Sequence, residues 1–226
     1  MSQATISTTT PPAARRYAGA SAQERQTQRR ERLLEAAFDV FGREGYRHTT
    51  MRLICAQARL TERYFYEHFS TIDEVFTAVH KQLSSEVGQK IMLRAMGHLD
   101  DPVAQTRAGL QAFFEFIKED PRRAQILLID AVTTGLTNPR NINAKVSQYA
   151  ELLKERFKKR YPHLNIPLDA DLIVGGFVGM VIHTATVWTQ RGFDTPIDVL
   201  VDHNVYAWMG LHQWLSANNE LTITVL

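Results

Sequence analysis

The sequence predicts an all-α protein built from a small N-terminal unit of three helices and a larger C-terminal helical domain. Three observations carry that expectation. Apolar residues recur at the spacing of a helix face along most of the chain, and strand-like alternation is confined to the terminal LTITVL. Helix-opening caps and prolines at helix-start positions punctuate these stretches. The 226 residues, 44% hydrophobic and 22% charged, form an ordinary globular mixture with enough chain for a sizeable core.

Residues 1–20, MSQATISTTTPPAARRYAGA, contain no acid and are rich in Ser, Thr and Ala, which reads as a disordered basic arm. Ser21-Ala-Gln-Glu24 has the capping-box pattern that satisfies the unpaired amides of a helix start. Leu34, Ala37, Phe38 and Phe41 follow at helical spacing, and Gly45 closes this first helix. Thr49 or Thr50 caps a short second helix over about 50–57, with Met51, Ile54 and Ala58 on one side. Thr61 caps a third over about 61–68, and Thr71-Ile-Asp-Glu74 opens a long fourth. Further helices are expected over roughly 102–118, 121–134, 139–160, 168–190 and 195–216, set off by Pro102, Pro121, Pro139, Pro162, Pro167 and Pro196. The expected division is 1–20 arm, 21–70 first domain and 71–226 second domain.

Composition excludes several functions. The single cysteine, Cys55, rules out an internal disulfide and fits a reducing compartment; in an apolar helical stretch it reads as a small core residue. No secretory signal is present, so the expected location is the cytoplasm. The net charge of +2 is uneven: twelve Lys/Arg against nine Asp/Glu through Lys81, then fourteen against fifteen. Eleven of those first twelve are arginine, the residue suited to bidentate pairing with phosphate or carboxylate. From Leu172 to Gln190 no residue is charged, which is long enough to span a bilayer. Polar His183, Thr184, Thr186, Thr189 and Gln190 in its second half favour a helix buried inside a bundle instead, and no membrane is expected. No phosphate-cradling glycine loop, paired zinc ligands or Gly-x-Ser-x-Gly occurs, so neither an enzyme, a metal nor a cofactor is expected.

One stretch does point to a function. Residues 60–69 read LTERYFYEHF, with three consecutive aromatics. Successive helical residues diverge by about 100°, so one buried face cannot take all three rings. Phe65 and Phe69 share a face that should pack inward; Tyr64 and His68 share another, with Thr61 a turn before; Tyr66 leaves on the opposite flank. Hydroxyls, phenols and an imidazole on a helix of about two turns suit phosphate oxygens and base edges. Amphipathic surface packing is the competing account of the tyrosines. A short helix, a tight turn and a second short helix form a helix-turn-helix, whose second helix enters the major groove.

Residues 32–79 resemble the DNA-binding domain of TetR-family transcriptional regulators. The resemblance rests on Ala36-Ala37-Phe38 and Phe41 of the first helix, the Gly45-Tyr46 corner and Thr49-Thr50. Ile54, Ala58, Tyr66, His68 and Phe69 complete it. It implies a helix-turn-helix DNA-binding domain followed by an effector-binding and dimerisation domain, and double-stranded DNA as partner. It places Thr50 where a hydroxyl meets a phosphate, Tyr66 and His68 where the backbone is gripped, and Thr49, Arg52, Thr61, Glu62, Arg63 and Tyr64 at DNA-facing positions. Three residues depart from the family pattern: Arg59 stands where the turn usually has glycine, Ile72 where a basic residue is common, and Leu53 where a polar one is usual.

Arg25, Arg29, Arg30 and Arg32 on the first helix read either as a solvated face or as a source of salt-dependent DNA affinity; Arg15 and Arg16 lie in the arm. In the second domain the resemblance implies a four-helix interface between two copies. Residues 168–190 and 195–216, with Gly175, Gly179, Trp188, Tyr206, Trp208, Leu211 and Trp214, fit that interface; packing within one chain fits them too. A small-molecule effector is also implied, and with it a repressor relieved by that molecule. Candidate lining residues are Phe113, Phe114, Phe177, Met180 and Trp188, with Asp130, Tyr149 and His183 as polar anchors.

Overall fold

The structure is a computed structural model that describes residues 21–98, 100–131, 155, 157–162 and 170–221. The expected arm, most of the helix expected over 139–160, Tyr149 and the last five residues lie outside the described residues. Helix α1 spans Ala22–Glu44, α2 Met51–Ala58, α3 Glu62–Tyr66, α4 Ile72–Ala95, α5 Pro102–Glu119 and α6 Pro121–Ala124. Helix α7 spans Ala170–Gln190 and α8 Ile197–Leu221. No strand occurs among the described residues.

The caps explain where these helices begin. Ser21 and Glu24 form the reciprocal box, with Ser21 N donating to the Glu24 carboxylate at 2.5 Å and Glu24 N to Ser21 Oγ at 3.1 Å. Thr50 and Thr71 accept from Leu53 N and Glu74 N, and Asp101 and Asp120 cap helices that start with proline. The expectation of a single helix through 134 meets a difference: the ladder loosens after Ala124 into a π-helical stretch, Gln125–Asp130.

One continuous core joins the two parts. Phe41, Ile54, Phe65, Phe69 and Phe76 fill the space between α1, α2, α3 and α4, and the same cluster runs on through Leu110, Phe114, Ala185, Trp188 and Val201. Helix α6 lies across α1 at Gly42, where the side chain of Arg122 takes the space a Cβ would need. Arg122 is held in place by Asp120 at 2.6 Å, by an ion pair to Asp39, and by stacking 4.6 Å over the Phe38 ring. Eight residues on, Asp130 closes the joint. Its carboxylate accepts from Tyr46 N and from Gln125 Nε2, both at 3.0 Å, beneath the corner that Gly45 turns at φ 76°.

Candidate nucleic-acid interface

The surface of interest is built from α2, its turn and α3. Arg59, at the end of α2, adopts φ 51° and ψ 45°, the left-handed conformation that glycine takes without a Cβ penalty. Arg32 of α1 reaches across to support this turn, donating to Ala58 O at 2.5 Å and Arg59 O at 3.4 Å. Phe65 and Phe69 are buried behind α3 and anchor it to the core, while Tyr66 is 60% exposed. Tyr64 and His68 are half-buried on a neighbouring face, and Arg52, Thr61, Glu62 and Arg63 are exposed around them. The helix is shorter than expected, with Glu67 as its C-cap and His68 in a following turn.

Two of the threonines differ in a way sequence did not separate. Thr50 caps α2 through a lone pair, leaving its O–H to donate outward. Thr49 is 8% exposed and its hydroxyl donates to Gly45 O at 2.8 Å, so it braces the corner and is withdrawn from the surface. Thr61 is the N-cap of α3 but makes no side-chain cap bond, so its hydroxyl also remains available.

The electrostatics of the surface involve two residues absent from the expected set. Arg29 stacks 4.7 Å over the ring of Tyr64 and lies 3.7 Å from Glu67, and Glu67 is itself 3.4 Å from Arg63. Arg52 and Glu62 pair at 3.4 Å across the two short helices. The arginines of α1 are therefore partly structural: Arg29 holds α3, Arg30 covers Phe69 at 5.2 Å and Arg32 supports the turn. The interdigitation of α1 with α3 could have been found only from Arg29, Tyr64 and Glu67 meeting in space. Burial, with Arg29 beside it, holds the His68 imidazole below its ordinary pKa, and its Nε2 is buried without a partner. Behind the surface Tyr46 donates its hydroxyl to Asp73, which together with burial pushes the phenol up to about 12. Cys55 is 5% exposed and burial raises its pKa, as suits an inert core thiol.

Of the residues expected to hold an effector, Phe113, Phe114 and Trp188 pack together, while Phe177, Asp130 and His183 have other surroundings. Phe114 and Trp188 are core, edge-on at 5.7 Å, and the Trp188 indole donates to Thr195 O at 2.8 Å. Phe113 lies against Phe114, Phe177 against Trp208 at 5.5 Å, and Met180 is half-buried on α7. Two anchors need correcting. Asp130 is the clasp at the Gly45–Tyr46 corner, and His183 faces solvent on α7. Two further buried polar groups lie one turn apart on α8: Asn204 Oδ1 and Trp208 Nε1 have no hydrogen-bond partner. No group of His, Cys, Asp and Glu suited to a metal occurs among the described residues.

On the far side, the apolar helix expected to be buried all round is not. Only 17% of its most apolar window is covered, and Leu172 is 75% exposed. A Cβ added at Gly175, Gly176 or Gly179 would meet nothing within 4 Å. On α8, Val199, Tyr206 and Trp214 are exposed as well, whereas Trp188 belongs to the chain's own core.

Known proteins share this fold. Residues 33–79 match the family model for bacterial regulatory proteins of the tetR family. The chain is 25% identical over 190 residues to the HTH-type transcriptional activator FasR of Mycolicibacterium smegmatis, covering 81% of this chain and 83% of that one. Among solved structures, the fatty acid degradation regulator FadR of Bacillus halodurans shares the fold at a TM-score of 0.66 and 17% identity, over 79% of this chain and 93% of that one. FadR of Bacillus subtilis, solved with stearoyl-CoA, does so at 0.63 and 16%, over 78% and 95%.

Proposed function

This chain is a TetR-family transcriptional regulator, and from that premise we propose that it acts as a cytoplasmic homodimer on a roughly palindromic operator, as a repressor released by a small apolar effector. It is a DNA-binding protein and not an enzyme. In this reading α3 enters the major groove. Thr50, Tyr66 and His68 meet the phosphate backbone, Thr61 and Tyr64 face the bases, and Arg52, Glu62 and Arg63 lie against the duplex beside them. The observation that carries it is the outward set of Thr50, Thr61 and Tyr66 hydroxyls on α2–α3, with half-buried His68 beside them and Phe65 and Phe69 buried behind. Residues 21–70 are the reading domain in this account and 71–226 the regulatory one.

The exposed apolar face of α7 and α8 supports pairing with a second copy. Glycines let two backbones approach closely there, and two-fold symmetry sets the two α3 helices for successive major grooves. The alternative, insertion of α7 into a membrane, is tested by the same sedimentation run that measures the dimer. An effector with a large apolar part suits the Phe113, Phe114 and Phe177 environment, and stearoyl-CoA, the ligand solved with the Bacillus subtilis regulator, is the first probe for a thermal-shift assay. An effector can act only by binding one pose of the two reading heads better than the other. Activation is the second reading, favoured by the match to an activator.

Selection of bound duplexes from random DNA tests the proposal. It should return a near-palindrome, and Tyr66→Ala or His68→Ala should weaken binding to all sequences alike. Recovery of no enriched sequence would refute it.

A further inference from the structure

We propose that Glu62 and Glu67 are specificity-determining residues of the reading surface: their carboxylates occupy the guanidinium groups of Arg52, Arg63 and Arg29 in the place a phosphate would take, so that only a duplex also held by base contacts displaces them. The inference rests on the reading that α2–α3 docks on DNA, and adds how that surface avoids gripping DNA of any sequence.

Each carboxylate sits where it competes with an incoming anion. Glu67 bridges two arginines from different helices, 3.4 Å from Arg63 and 3.7 Å from Arg29. Glu62 lies 3.4 Å from Arg52, across the turn between α2 and α3. Arg63 and Arg52 are 85% and 86% exposed, open to an incoming duplex. Exposed ion pairs of this kind contribute only about 0–1 kcal/mol, so an operator phosphate can replace them. A phosphate reaching Arg63 must also come close to Glu67, and like charges repel. That cost is the same for every sequence. Only a sequence whose base edges complement Tyr64 and Thr61 offsets it.

Without the two acids, the same surface would present Arg52, Arg59 and Arg63 unpaired by Glu62 or Glu67, with the α1 arginines behind them. Such a surface binds any duplex through counterion release. Glu67 has a second effect, because the Arg29 it pairs with also stacks on Tyr64. Its charge therefore bears on both the backbone grip and the pose of a base-facing ring.

The test uses the full-length chain with Glu67→Gln and Glu62→Gln, which remove charge and keep shape. Each is titrated by fluorescence anisotropy against the selected operator and a random-sequence duplex across a salt series. Each substitution should tighten binding to the random duplex roughly 3- to 8-fold near 0.1 M salt, and steepen the slope of log K against log salt by about 1. Operator affinity should rise less, so the ratio of the two falls. In an Arg63→Gln background the gain from Glu67→Gln should largely disappear, as coupling through one guanidinium requires. Random-duplex affinity that is unchanged or weaker in both variants, or an equal shift for both duplexes, overturns the inference. If Arg63→Gln and Tyr66→Ala weaken binding while both glutamate variants behave as wild type, docking stands and this inference falls. If Arg63→Gln and Tyr66→Ala change nothing, the docking itself is wrong.

Discussion

Replacing Gly42 by alanine should loosen the joint between α1 and α6. A Cβ at this position would sit 2.4 Å from Arg122 Cβ and 2.7 Å from its Cγ. Those atoms are close to the backbone of α6, and the guanidinium beyond them is fixed by Asp120, Asp39 and the face of Phe38. Arg122 therefore cannot swing aside, and α6 must move. Overpacking of this kind costs about 1–3 kcal/mol, and contact this short belongs at the upper end. Alanine is favoured over glycine in a helix by about 1 kcal/mol, which opposes the loss. The net is a destabilisation of about 2 kcal/mol. For a chain of this size that lowers the melting temperature by roughly 4–8 °C, measured by circular dichroism on the full chain. A melting temperature equal to or above that of the wild type would show that α6 does not rest on α1 as described.

Arg59→Gly should stabilise the chain by about 0.5–1 kcal/mol, because it removes a Cβ from a left-handed backbone and loses part of the gain to a freer unfolded chain; urea unfolding measures it, and a loss of stability would contradict the strain. His68 is depressed from 6.5 by burial and by Arg29, so it is uncharged at neutral pH. A phosphate at its edge favours protonation, so operator affinity should rise as pH falls from about 8 to about 6, and His68→Gln should flatten that dependence. The same depression makes its share of folding stability complete above 6.5 and lost as pH falls through the folded pKa. A pH dependence of binding identical in the variant would remove His68 from the contact set.

Much of the reading surface was legible because local rules fix it. The capping box at Ser21, the cap at Thr50 and the divergence of Tyr64, Phe65 and Tyr66 around a helix follow from short-range geometry, and the structure places Phe65 and Phe69 inward and Tyr66 outward. What failed depended on distant segments. Asp130 is an isolated acid in an apolar run, and nothing nearby in the sequence announces that the Tyr46 amide, 84 positions earlier, will claim it. Thr49 and Thr50 are adjacent and alike, and only the corner at Gly45 decides which turns inward. The uncharged stretch after Leu172 has the same composition whether covered by its own chain or by a second one, so its exposed face became visible only in the fold.

The central claim is that the α2–α3 surface faces the duplex while the α7–α8 surface faces another copy of the chain. Photocrosslinking tests it most directly, with a benzophenone-bearing amino acid placed at position 66 or at position 206, both exposed tyrosines. The account predicts that position 66 joins the protein to operator DNA and that position 206 joins two protein chains. Crosslinking to DNA from position 206, with none from position 66, would contradict it.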